Sequence, residues 1–132
     1  MIAIIPARGG SKGLTNKNMK IFNGRPMIQA TIDAAKNSKL VNFVYVSTDD
    51  KEISDFSKSC GAESPFFRPK ELSEDDSLVN DTLKYMINKL ESEYSKDCSS
   101  IVLLQPTSPL RTIEDIDNAI TIFRKKNADS VI

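Results

Sequence analysis

Three short apolar runs constrain this chain more than any other feature: MIAII at 1–5, FVYV at 43–46 and IVLL at 101–104. None of them alternates with polar residues, the pattern of strands buried on both faces. Each is followed by a polar segment, and then by residues that recur at helical spacing. After the first run, Pro26 stands where a helix can begin, and Ile28, Thr31, Ile32 and Ala35 mark one face as far as about Asn37. After the second, Asp49 with Glu52 reads as a capping box opening a helix to about Cys60, with Gly61 as its stop. Residues 62–75 carry Pro65, Pro69 and mixed charge and read as an irregular connection. Val79, Leu83, Met86, Ile87, Leu90 and Tyr94 then mark a longer helix. Past the third run, Thr112 and Asp115 form a second capping-box pattern, and Ile113, Ile116, Ile120 and Phe123 give the following helix its apolar face. The final DSVI reads as a fourth strand. Alternating strands and helices predict a parallel sheet covered on both faces.

Length and composition exclude several classes. A chain of 132 residues is expected to form one domain, residues 1–132, with an ordinary core. A formal net charge of zero argues against a general nucleic-acid binder, which depends on many phosphate contacts. No apolar run reaches the roughly 18 residues of a membrane span, and the start lacks the basic region of a signal peptide. The expectation is a protein without nucleic-acid or membrane partners. Cys60 and Cys98 have neither CxxC spacing nor a histidine to share zinc, and read as reduced thiols in a cytoplasmic protein. The absence of histidine removes the commonest general base and the Ser-His-Asp and Cys-His triads.

Parallel sheets bind ligands beyond the carboxyl ends of their strands, so the segments that follow the strands should share one edge. These are PARGGSKG, STDD and QPTSPLR. The first has no acid; indeed no Asp or Glu precedes Asp33. Gly9, Gly10 and Gly13 permit close backbone approach, successive N–H groups can form an anion-binding concavity, and Arg8 and Lys12 add charge. Neither GxxxxGK[ST] nor GxGxxG fits, which sets this loop apart from the P-loop and the dinucleotide fingerprint. STDD by itself reads equally as a helix cap, and RPKELSEDDS as a surface loop with a charge pair. QPTSPLR crowds Gln105, Thr107, Ser108 and Arg111 into a turn stiffened by two prolines.

In this order the segments resemble the N-acylneuraminate cytidylyltransferase (CMP-sialic acid synthetase) family. IPARGGSKG…KN at 5–18, VSTDD at 46–50, RPKELSEDDS at 68–77 and LLQPTSPLR at 103–111 are similar to its four landmarks. The resemblance implies a Rossmann-like α/β fold of the nucleotide-diphospho-sugar transferase type: a doubly wound, mostly parallel sheet with helices on both faces, here shortened relative to the family. It also implies transfer of CMP from CTP to the anomeric hydroxyl of a nine-carbon 2-keto acid sugar, with pyrophosphate leaving. By similarity Arg8, Gly9, Gly10, Ser11 and Lys12 hold the triphosphate, and Lys17 and Asn18 reach phosphate and cytidine. Arg8, Lys12 and Lys17 would be the catalytic cations. Arg68 is similar to the family's contact at the cytidine end, and Gln105 would face the acyl sugar. Mg²⁺ is the implied cofactor, bridging phosphate oxygens. The family's metal-binding aspartates and the arm through which full-length relatives form homodimers belong to a half with no counterpart here, so no residue is assigned as a metal ligand. Thr15 stands where the family often has proline, which leaves that turn less rigid. Cytidylyltransfer to pseudaminic or legionaminic acid, and CTP binding without turnover, are the alternatives.

Overall fold

Why does MIAII behave as a strand with no exposed face? In the computed structural model, which describes residues 1–11, 14–15, 17–73, 79–106 and 111–131, it is the middle of a sheet packed on both sides. β1 (Ile2–Pro6) is followed by two small antiparallel pairs, β2 (Gly10–Ser11) with β3 (Leu14–Thr15) and β4 (Ile21–Phe22) with β5 (Arg25–Pro26). Next come α1 (Met27–Asn37), β6 (Phe43–Ser47), α2 (Lys51–Ser59), α3 (Val79–Glu93), β7 (Ile101–Leu103) and α4 (Ile113–Lys125). The main sheet has the order β6-β1-β7 and is wholly parallel, with Ile4 opposite Tyr45 on one side and Leu103 on the other. The chain leaves β1 to one side for β6 and returns to the other side for β7. The strand order therefore reverses at β1, as in a doubly wound Rossmann-like fold.

Alternate residues of β1 feed two cores. Ala3 and Ile5 pack with Ile28 and Ile32 of α1, Ile53 of α2, and Ile116 and Ile120 of α4. Ile2 and Ile4 pack with Tyr45, and with Met86 and Leu90 of α3. Three helices thus cover one face and α3 the other, so β1 has no polar side. α4 begins with the expected capping box: Asp115 N–H donates to Thr112 Oγ1 and Thr112 N–H to Asp115 Oδ2, both at 3.0 Å. Gly61, at φ +93°, ends the turn behind α2 in a conformation open to glycine.

Three expectations need correction. The cap of α2 is Asp50, not Asp49: Asp50 Oδ1 accepts from Glu52 N–H at 2.7 Å and Ile53 N–H at 3.3 Å. Asp49 is turned away to another task. Val79 and Tyr94, read as marking the face of this helix, are 40% and 38% exposed; Val79 is the first residue of α3, and Tyr94 lies just past its end with its ring 5.6 Å from that of Phe66. Residues 129–131 form no strand, and Ile132 lies outside the described residues. Asp129 and Ser130 are exposed, and Val131 only lines an open cleft of about 1300 Å³ along the free edge of β7. Among the described residues this short apolar end has no ladder partner.

Candidate functional site

The parallel register sets the carboxyl ends of the three strands side by side, with Pro6 opposite Ser47 and Ile4 opposite Leu103. The segments starting at Ala7, Thr48 and Leu104 therefore leave the sheet along one edge, as expected from the sequence. They are tied to it by backbone bonds: Ala7 N–H donates to Ser47 O at 2.8 Å, and Leu104 N–H to Ile4 O at 3.0 Å.

Two polar contacts shape the start of the glycine loop. Asn18 is buried, and its Nδ2 donates to Arg8 O at 3.0 Å, closing residues 8–18 into a loop. Gly9 N–H donates to Asp49 Oδ1 at 2.8 Å, binding that loop to the segment after β6. A side chain at position 9 has no room, since a Cβ there would lie 2.4 Å from Asp50 Oδ2 and 2.6 Å from Asp50 Cβ. Gly9 is thus required by close approach. Gly10 and Ser11 form β2, paired with Leu14 and Thr15, and Lys17 and Asn18 stand in a 3₁₀ turn, Lys17–Met19. Lys12 and Gly13 lie outside the described residues.

Arg68 reaches the same edge from the irregular connection. Only 7% exposed, it directs Nη2 to Ser47 O at 2.8 Å, Nε to Ser47 Oγ at 3.3 Å and Nη1 to Leu72 O at 3.3 Å. Its backbone N–H donates to Thr48 O at 2.7 Å. Burial pulls its pKa below the usual arginine value, with Asp49 opposing and the like charge of Arg8 adding to the fall. Arg68 therefore feels both Asp49 and Arg8, with opposite effects on its charge. A guanidinium of this kind has five N–H groups, so three bonds to protein oxygens still leave donors for a ligand.

Gln105 follows β7, half-buried, and its backbone O accepts from Arg111 Nη2 at 3.4 Å. Arg111 Nη1 is buried without a hydrogen-bond partner among the described residues, and burial lowers this guanidinium's pKa. Residues 107–110, including Thr107 and Ser108, lie outside the described residues. Among the described residues no three Asp, Glu, Cys or His side chains gather as a metal cluster. Asp49 and Asp50 are both engaged with backbone amides. The structure thus brings Arg8, Gly9, Asn18 and Arg68 together and sets Gln105 beyond the neighbouring strand. Sequence reasoning missed two participants, Asp49 as acceptor for the loop and Ser47 as the anchor of Arg68. The signal for both was position, at or just past the carboxyl end of β6, on the edge shared with the loop.

Comparison with known proteins bears on the same segments. Residues 2–132 match the family described as Cytidylyltransferase. The chain belongs to this family. It is 40% identical, over 124 residues and 94% of its length, to a CMP-N,N'-diacetyllegionaminic acid synthase of Legionella pneumophila, of which it covers 53%. It is 39% identical, again over 94% of its length, to an N-acylneuraminate cytidylyltransferase of Escherichia coli, of which it covers 28%. Among solved structures, a CMP:2-keto-3-deoxy-manno-octonic acid synthetase complexed with CTP superposes with a TM-score of 0.76 at 25% identity, over 96% of this chain and 48% of that one. The resemblance read from four motifs is confirmed, and the chain spans about half or less of these family members.

Proposed function

We propose that this chain supplies the CTP-binding part of a cytidylyltransferase whose acceptor is a nine-carbon 2-keto sugar acid of the sialic or legionaminic kind. The carrying observation is the convergence of the Arg8–Asn18 loop, the Thr48–Asp50 segment and Arg68 at the carboxyl edge of the sheet, in a chain of this family. In the reaction the anomeric hydroxyl oxygen forms a bond to the α-phosphorus of CTP, the bond to the β-phosphate bridge breaks, and pyrophosphate leaves with the electron pair. The hydroxyl proton passes to solvent. Backbone amides of the loop, with Arg8, Lys12 and Lys17, take up charge on the departing phosphates. Ser11 joins the triphosphate contacts, Arg68 reads the cytidine end through its remaining donors, and Gln105 faces the sugar.

Mg²⁺, the implied cofactor, would find no cluster of three acids among the described residues to hold it, and it is an ion that takes few protein carboxylates. It supplies charge neutralisation on the phosphates; no residue of this chain is assigned to it. A cytoplasmic setting is supported by Cys60 and Cys98, both free, whose thiol pKa values burial pushes up.

The test is a thermal-unfolding panel with CTP, UTP, GTP and ATP, each with and without Mg²⁺. At about 100 times its dissociation constant a ligand adds about 2.7 kcal/mol to the folded state. A shift for CTP that is lost in Arg8→Ala supports the reading, and pyrophosphate release with a sialic-type sugar acid then separates turnover from binding alone. The share of relatives covered, 53% and 28%, favours binding without turnover as the second reading for the isolated chain. No shift with any nucleotide in a cooperatively folding protein would sink both.

A further inference from the structure

Asp49 has so far been given a hold on the Gly9 amide but no part in binding or catalysis. Its neighbour Thr48 is fully buried, and both Thr48 O and Thr48 Oγ1 are engaged, by Arg68 N–H at 2.7 Å and Asp50 N–H at 3.1 Å. The backbone carrying Asp49 is thereby fixed, while its own side chain is exposed at the sheet's carboxyl edge. From there Oδ1 accepts from Gly9 N–H at 2.8 Å, across 40 positions of sequence. The same carboxylate opposes the loss of charge on Arg68, which Arg8 promotes.

An exposed acid beside a loop built for an anion calls for a reason, because its charge opposes that of a phosphate ligand. A capping role is excluded, since Asp50 performs it. We infer that Asp49 is a positioning residue for the phosphate loop: its oxygen holds the Gly9 amide and sets the direction in which residues 10 and 11 leave β1, before any nucleotide arrives. Its charge is the tolerated cost of that hold, moderated by Arg8 and Arg68. The useful part of the side chain is the acceptor oxygen, which an amide also provides. The charge works against the ligand, and an amide removes it. Acceptor and charge therefore make opposite predictions for Asp49→Asn. The inference rests on the triphosphate reading given above.

The experiment compares the wild-type chain with Asp49→Ala, Asp49→Asn and the charge-matched surface control Asp55→Asn. Each is first checked for cooperative unfolding and then titrated with CTP well below its melting temperature. Asp49→Ala is expected to weaken CTP binding about tenfold, the loss of one hydrogen bond to the loop. Asp49→Asn should bind at least as tightly as wild type, and Asp55→Asn should match wild type. Equal affinity for Asp49→Ala and wild type overturns the inference. So does an Asp49→Asn that is as weak as Asp49→Ala. Tighter binding by both Asp49 variants would also overturn it, since the carboxylate would then be a competitor of phosphate. Hydrogen exchange at the Gly9 amide, measured without nucleotide, keeps this separable from the CTP reading. Faster exchange in Asp49→Ala with protection retained in Asp49→Asn supports the hold even in a chain that binds no CTP; unchanged exchange in Asp49→Ala refutes it.

Discussion

Replacing Gly9 by alanine should destabilise this fold through a direct clash with Asp50. The added Cβ would sit 2.4 Å from Asp50 Oδ2, 2.6 Å from Asp50 Cβ and 2.9 Å from Asp50 Cγ, so most of that side chain is in the way rather than its flexible tip. Asp50 cannot simply swing aside, because Oδ1 caps α2 through Glu52 N–H at 2.7 Å and Ile53 N–H at 3.3 Å. Losing a cap costs about 1 kcal/mol, and forcing a methyl group into filled space about 1–3 kcal/mol. A total of about 2–4 kcal/mol corresponds to roughly 6–16 °C in melting temperature for a domain of this size. The assay is thermal or urea unfolding of Gly9→Ala, Asp50→Gly and the double variant. Asp50→Gly removes the obstructing side chain, and glycine at a cap position costs only a few tenths of a kcal/mol. In that background Gly9→Ala should become nearly neutral, giving a coupling of about 2 kcal/mol. Equal costs of Gly9→Ala in the two backgrounds would refute the claim that the contact with Asp50 excludes a side chain.

Three further outcomes are expected. Tyr45 is 2% exposed, and burial together with Glu63 pushes its hydroxyl from 10.0 up to about 12. The unfolded chain therefore ionises first as pH rises past 10, and the wild type should lose up to about 2–3 kcal/mol by pH 12 that Tyr45→Phe does not lose, measured by urea unfolding of both across that range. Asp117 accepts from Ser38 Oγ and from the Lys39 and Leu40 amides, which hold its carboxyl below the usual 3.8. Its contribution is present above 3.8 and lost as pH falls through the lower folded value, so acid melts of the wild type should steepen there while those of Asp117→Asn do not. Thr112→Ala deletes the acceptor for Asp115 N–H and should cost about 1 kcal/mol in thermal unfolding, with Thr112→Ser close to wild type.

The elements that carry a period were readable, and those held by single contacts were not. MIAII, FVYV and most of IVLL are strands, as short unbroken apolar runs bounded by turn residues suggest, although β7 is only half-buried and Phe43 is exposed; α1 and α4 bury Ile28, Ile32, Ile116 and Ile120 as their spacing predicts. The pairs β2 with β3 and β4 with β5 are two residues per strand, too short for any alternation to register. Asp49 and Asp50 are chemically alike and adjacent, and the segment alone does not say which of them caps α2 and which meets the Gly9 amide. DSVI has a strand's composition, yet composition does not supply a ladder partner. Arg68 was legible as a site residue through its motif, but its hold on Ser47 follows from the parallel register and could not be read from the segment itself.

The charge pattern that marks the loop in sequence is altered once the chain folds. No acid precedes Asp33, so residues 1–32 look like a purely cationic cradle. The register between β1 and β6 then brings Asp49 onto the Gly9 amide and Asp50 against the Gly9 Cα. Two acids from another segment thus fix the direction of a loop that carries none of its own. The arrangement follows from what an anion site needs while it is empty. Amides and cations gathered for an anion repel one another while the site is empty, and the short β2–β3 pairing is a small restraint on a loop of this kind. A carboxylate on the neighbouring strand's exit holds one amide in place at the cost of some repulsion toward phosphate. That repulsion is bounded because Asp49 is exposed and its charge is screened by water and salt, whereas the hydrogen bond to Gly9 is short-ranged and depends on salt far less. Raising the salt concentration should accordingly narrow the difference in CTP affinity between Asp49→Asn and wild type, and leave the deficit of Asp49→Ala in place.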